Sequence, residues 1–172
     1  RVIFLITLVS LFLASCRGSK STTSTKNTEN TASNSLKEKY VPLLGVEKKE
    51  LDNVALLKFI DEWYGTPYKY GGKDKKGIDC SSFSCQLLKN VFGKTIAGSA
   101  QGLYDQCKTE KVAKLKEGDL VFFKIESSKV SHVGVYLMNN KFVHATTKKG
   151  VMINDLNETY YKKYFYAGGK LN

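Results

Sequence analysis

The hydrophobic pattern changes period once, at Gly118-Asp119, and that switch restricts the fold more than any other feature of the chain. Upstream of it, apolar residues recur at helical spacing. Downstream come short runs of β-formers: Leu120 to Phe123, Val130 to Leu137, Lys141 to Thr146 and Gly150 to Ile153. Helices first and strands afterwards predict an α+β fold, with N-terminal helices packed on an antiparallel β-sheet. One helix is expected over Leu51 to Trp63, stopped by Gly65-Thr66-Pro67, and a second from Cys80 to Phe92, closed by Gly93. A short third one is expected across Ala100 to Cys107, and the glycine-rich Tyr68 to Gly77 reads as a loop.

The 172 residues are 42% apolar and include nine Phe and ten Tyr, enough to fill the core of one modest domain. Wholesale disorder, fibrous classes and a multidomain enzyme are excluded. The formal charge of +11 is almost all lysine, scattered along the chain, with arginine only at Arg1 and Arg17. That is a solvated basic surface suited to anionic surroundings; it is not the clustered footprint of a nucleic-acid binder.

The N-terminus sets the compartment. Val2 through Leu13 is an apolar run broken only by Thr7 and Ser10. It falls short of the ~20 residues a spanning helix needs, so residues 1–15 read as a signal peptide. Leu13-Ala14-Ser15-Cys16 resembles a bacterial lipobox, which makes Cys16 the lipidated first residue of the mature chain. Two or more acyl chains give stable anchoring. The expected location is outside the cytoplasm, lipid-anchored to a bacterial membrane. Arg17 after the cysteine favours the outer membrane, facing the periplasm, in a Gram-negative cell. From Ser19 to Ser35 the chain holds five Ser, five Thr and three Asn. Residues 16–45 are therefore expected to be a flexible tether, and 46–172 the folded domain.

The chain has only two histidines, His132 and His144, each inside a predicted strand, while Cys80 sits where the glycine loop enters a helix. A cysteine with distant histidines is the pattern of a candidate nucleophile; by residue type the same three would also suit zinc. The thiolate is the nucleophile, so the thiol has to be activated. A helix N-terminus contributes roughly 0.3–1 kcal/mol, less than one pKa unit, and a neighbouring imidazolium is expected to do most of the work. His132 is the better partner, with His144 orienting it through the other ring nitrogen. Cys85 and Cys107 remain, either bridged or as free thiols.

Five ordered blocks carry a family resemblance. They are Gly65-Thr66-Pro67-Tyr68-Lys69-Tyr70-Gly71-Gly72, Gly77-Ile78-Asp79-Cys80-Ser81-Ser82-Phe83, Gly118-Asp119-Leu120-Val121-Phe122-Phe123, Ser131-His132-Val133-Gly134-Val135-Tyr136 and Phe142-Val143-His144-Ala145. Together they resemble the NlpC-type papain-like cell-wall cysteine peptidases over roughly Val46 to Ala167. The resemblance implies a Cys-His-His site: Cys80 as nucleophile, His132 as general base and acid, and His144 as the residue that orients His132. It further implies Tyr68 as an oxyanion donor, and Asp79, Ser81 and Ser82 as contacts for the substrate. It implies no metal and no organic cofactor, a monomer, and peptidoglycan stem peptides as the substrate. The bonds implied are D-γ-glutamyl-diamino acid or D-alanyl-diamino acid. A catalytically inactive peptidoglycan-binding lipoprotein and an amidase or acyltransferase on the same scaffold are the competing classes. Ser82 stands where relatives commonly have glycine, and Ala167-Gly168-Gly169-Lys170 where they are often richer in arginine.

The site poses a register problem. With Asn139-Asn140 as a plain two-residue hairpin turn, position 144 pairs with 135 and His144 faces away from His132, because side chains alternate along a strand. Both imidazoles on one face require another loop length or a bulge, with 132 and 144 related across a pivot near Met138.

Overall fold

The computed structural model describes residues 23–171. In chain order the elements are α1 (Thr23–Leu44), α2 (Val54–Trp63), β1 (Lys73–Asp74), β2 (Gly77–Ile78), α3 (Cys80–Phe92), α4 (Ala100–Asp105), β3 (Lys108–Glu110), β4 (Leu120–Phe123), β5 (His132–Tyr136), β6 (Lys141–Thr146), β7 (Gly150–Asp155), α5 (Thr159–Tyr164) and β8 (Phe165–Lys170). Six strands form an antiparallel sheet in the order β3-β8-β4-β5-β6-β7, and β1 with β2 makes a small separate hairpin. The α+β class is the one the period switch implied.

Local chemistry explains the helix limits. Asn53 caps α2, its Oδ1 accepting from the Leu56 N–H at 3.0 Å. Asp79 caps α3, its Oδ1 accepting from the Ser82 N–H at 2.7 Å. Gly93 ends α3 in the left-handed region, at φ 67°. Phe83, Leu87 and Leu88 are fully buried on the inner face of α3, which packs on β5 and β6. On that side of the sheet lie Leu120, Phe122, Val133, Val135, Val143 and Ala145. The opposite side carries a smaller apolar layer of Val121, Phe123, Tyr136, Phe142, Leu156 and Tyr161.

The folded unit starts earlier than the sequence suggested. Tyr40 and Leu44 of α1 are 0% and 2% exposed and belong to the main core, with Leu36, Val41 and Leu43 packed beside them. Spacings of four and eight residues from Leu36 place Tyr40 and Leu44 on one helix face, and the Tyr40 hydroxyl reaches Asp61 of α2 at 3.3 Å. Residues 23–44, expected within the tether, are therefore helical, and the boundary near Val46 lies too late. The proposed leader and Cys16 lie outside the described residues. Among the described residues no helix is long and apolar enough to cross a membrane.

The β5–β6 hairpin resolves the register problem. Asn139 and Asn140 have φ of 48° and 59°, the pattern of a type I′ turn. The Lys141 N–H donates to the Met138 carbonyl at 2.7 Å and the Leu137 N–H donates to the Lys141 carbonyl at 2.9 Å. Leu137 and Met138 thus both face Lys141, which is a β-bulge. Beyond it Tyr136 pairs with Phe142 and Val135 with Val143. The tight turn and the bulge occur together, and the pivot is Asn139 rather than Met138. His144 consequently lies across from Gly134, where an added Cβ would stand 3.2 Å from the His144 Cβ and 2.6 Å from the Phe142 ring. His132, two residues from Gly134, shares that face.

Positive φ at Asn140 makes its side chain a test of this turn. Asn140→Val is expected to cost about 1–2 kcal/mol in chemical denaturation, because a β-branched residue resists the left-handed region. Asn140→Gly should leave stability near wild type.

Candidate active site

Cys80 opens α3 with its side chain 7% exposed. The backbone N–H groups of Val133, Ser81 and Cys80 itself favour its thiolate form. The strongest of these comes from the residue that follows His132, so the helix N-terminus is set against the start of β5. His132 Nε2 lies 2.6 Å from His144 Nδ1. His144 is 1% exposed, walled by the rings of Phe142 and Tyr161, and its Nε2 lies 2.9 Å from Asn154 Oδ1. Phe123 packs against His132, with ring centroids 5.8 Å apart.

Two arms of one cleft meet at Tyr68 and Ser131. One, of about 620 Å³, includes Cys80, Ser81, Ser82, Tyr70 and Ser99; the other, of about 550 Å³, includes His132, His144, Thr146, Met152 and Asn154. The Tyr68 hydroxyl is held above its ordinary pKa, first by burial and next by the nearby Cys80 sulfur. A protonated phenol in that place is a donor.

Asp79 lines the Cys80 arm, but its oxygens are already engaged. Oδ1 accepts from the Ser82 N–H and the Ser81 hydroxyl, and Oδ2 accepts from the Gly71 N–H at 2.9 Å. Its work here is to cap α3 and pin the glycine loop to it. Cys85 and Cys107 are free thiols. Among the described residues no group of three or more His, Cys, Asp or Glu is arranged to hold a metal ion.

The electrostatics correct one expectation. Burial pushes the Cys80 thiol up to about 11, and the Asp79 charge adds to that against the amide contacts. Burial, and then the neighbouring His144, hold His132 well below the usual imidazole range; burial also takes His144 down to about 4. Burial thus favours the neutral thiol at Cys80 and the neutral imidazole at His132 and His144.

Asn154 and Glu158 were not among the residues picked out from the sequence. The alternation of β7 carries a signal for Asn154: Met152 pairs with His144 and Asn154 with Phe142, so both lie on the histidine face. Ending the strand at Ile153 hid it.

A helix-borne cysteine set against a sheet-borne histidine pair defines a papain-like α+β class. Comparison with known proteins gives the family: the model of the NlpC/P60 family matches residues 65–169, and the chain belongs to that family. It is 38% identical over 132 residues to the Escherichia coli K12 protein named murein DD-endopeptidase MepS/murein LD-carboxypeptidase, covering 77% of this chain and 66% of that protein. A Haemophilus influenzae protein named as a probable endopeptidase is 30% identical over 164 residues, covering 95% of this chain and 93% of that one. The crystal structure of a lipoprotein-like NLP/P60 family member from Staphylococcus aureus superposes with a TM-score of 0.60 at 26% identity, over 67% of this chain and 40% of that chain. The chain thus spans just under two thirds of the length of the Escherichia coli relative.

The buried imidazoles predict an acid-sensitive fold. An unfolded His144 takes up its proton near 6.5, and the folded one only near 4. Between those values the unfolded chain binds more protons, so stability falls as pH falls, by up to about 3 kcal/mol from this residue. Thermal melts from pH 7 to pH 4 should show the loss, and His144→Gln should reduce it, leaving the part that comes from His132.

Proposed function

We propose that this protein hydrolyses amide bonds in the stem peptides of peptidoglycan by a thiol mechanism. The observation that carries the reading is the buried His132–His144 pair, 2.6 Å apart, beside a cysteine at a helix N-terminus in an NlpC/P60 chain. As the substrate carbonyl reaches Cys80, His132 takes the thiol proton and sulfur adds to the carbonyl carbon. The oxyanion is met by the Cys80 N–H and the Tyr68 hydroxyl. His132 then gives its proton to the departing amine, a thioester remains on Cys80, and water, deprotonated by His132, releases the carboxylate. His144 orients His132, and Ser81 and Ser82 line the arm that receives the peptide. The wording of the Escherichia coli relative's name, a murein DD-endopeptidase, favours the D-alanyl-diamino acid cross-link over the γ-glutamyl bond.

The placement goes with this reading: a monomer exported and lipid-anchored through Cys16 to a bacterial membrane, the outer membrane facing the periplasm in a Gram-negative cell. The basic surface, formally +10 once residues 1–15 are removed, would hold it near an anionic wall.

Mass spectrometry of defined muropeptides, incubated under reducing conditions with the chain from residue 17 onward, tests the activity. Wild type should release fragments with a new amine and a new carboxylate, and Cys80→Ala none. Binding by both proteins with cleavage by neither would instead mark a wall-binding lipoprotein. Tyr68→Phe should lower kcat by about 10²–10³ if its hydroxyl meets the oxyanion. The general base must be neutral, and His132 is held well below 6.5; the acid limb of kcat/KM should accordingly lie below pH 6.5.

A further inference from the structure

We propose that Asn154, itself oriented by Glu158, is a positioning residue that fixes which nitrogen of each histidine carries the proton and so leaves His132 Nδ1 free to take the proton of Cys80. This deepens, and rests on, the hydrolase reading.

The chain of contacts starts at Glu158. Asn154 Nδ2 lies 3.0 Å from both carboxylate oxygens of Glu158, and Glu158 Oε1 also accepts from the Asp155 N–H at 2.8 Å. A carboxylate only accepts, so the amide nitrogen of Asn154 must face Glu158. Its oxygen is thereby turned to His144 Nε2, 2.9 Å away. An amide oxygen also only accepts, so His144 carries its proton on Nε2. The neutral ring then presents a lone pair at Nδ1, and His132 Nε2, 2.6 Å from it, has to be the donor. His132, neutral in turn, keeps its lone pair on Nδ1. Two acceptor-only oxygens at one end thus propagate a single donor direction through two rings.

The reverse arrangement is blocked by the same contacts. It needs the Asn154 amide to donate to His144 Nε2, which would turn Oδ1 against the Glu158 carboxylate and leave two acceptors facing each other. His132 would then hold its proton on Nδ1, with no lone pair for the thiol. Tyr161 closes the circle: its hydroxyl is 3.4 Å from Asn154 Oδ1, as a donor, and 3.3 Å from His144 Nε2. Without Asn154 that hydroxyl is the remaining hydrogen-bond partner of His144 Nε2 among the described residues, and because it both donates and accepts it cannot hold one tautomer. When His132 accepts the thiol proton during attack, its new charge sits at the head of a hydrogen-bonded chain that ends on a carboxylate.

The test is the ring-nitrogen spectrum of the chain from residue 17 onward, labelled with ¹⁵N-histidine, read beside turnover of a muropeptide. Wild type should show both histidines as the Nε2–H tautomer. Asn154→Leu should give mixed tautomers and a kcat lower by roughly 10- to 100-fold, as for other outer partners of functional histidines, with KM near wild type. The paired change Asn154→Asp with Glu158→Gln exchanges donor and acceptor in the outer pair while keeping an acceptor toward His144. It should restore the Nε2–H pattern and most of kcat, which a purely structural role would not predict. An Nδ1–H pattern in wild type, or wild-type tautomers and kcat in Asn154→Leu, would overturn the assignment. A wild type that shows the Nε2–H pattern and cleaves no stem peptide would overturn the hydrolase reading instead.

Discussion

The site depends on one extra residue in a hairpin. Because side chains alternate, a single-residue change in register sends a strand's entire set of side chains to the other face. The bulge at Leu137 and Met138 makes that change between β5 and β6, and it turns His144 from the α3 side of the sheet to the side that carries His132. Gly134 then permits the close approach, since a Cβ there would lie 3.1 Å from the Val143 carbonyl as well as against the Phe142 ring. The turn is anchored at its tip: Asn139 Nδ2 donates to the carbonyls of Leu44 and Gly45, both at 3.0 Å. These are carbonyls at the end of α1, where helical partners run out. The helix that precedes the domain proper is in this way tied to the loop that sets the histidine register.

Magnitudes decide the state of the thiol. Raising Cys80 from 9.0 to about 11 corresponds to about 3 kcal/mol against the thiolate. That value already includes the opposing amides at the start of α3, so burial wins, and the same burial disfavours the imidazolium. In the proposed mechanism the proton moves when substrate arrives. For that mechanism a neutral, correctly faced His132 matters more than a strongly basic one, which gives the hydrogen-bond direction through His144 and Asn154 its proposed importance.

Much of this architecture was legible where short-range chemistry sets the outcome. Asp79 and Gly93 mark the ends of α3, and the run Lys141 to Thr146 coincides with β6. Strands β3 and β8 were not legible. β8 contains Gly168-Gly169, which reads as a break, yet a Cβ at 168 would meet the Glu110 carbonyl at 2.8 Å and one at 169 would meet the Phe122 ring at 2.5 Å. Glycine is there because β8 is crowded by its neighbours, information that exists only in three dimensions. The start of the folded unit was hidden by composition, since the polar run through Ser35 obscures the apolar face of Leu36, Tyr40 and Leu44. At the site, the need for another loop length or a bulge followed from counting residues, but which of the two, and where, did not. The residue pairing that brings Asn154 to His144 appeared only once β7 was seen to continue to Asp155.

The histidine pair can be detected without any substrate. An N–H···N hydrogen bond at 2.6 Å between His132 Nε2 and His144 Nδ1 should transmit a ¹⁵N–¹⁵N scalar coupling, visible as a cross-peak between the two ring nitrogens in the folded, histidine-labelled chain. The account predicts that cross-peak near neutral pH and its disappearance on unfolding. A folded chain with no coupling between the two rings, and with His144 lying on the α3 side of the sheet, would contradict the register on which the rest of the site is built.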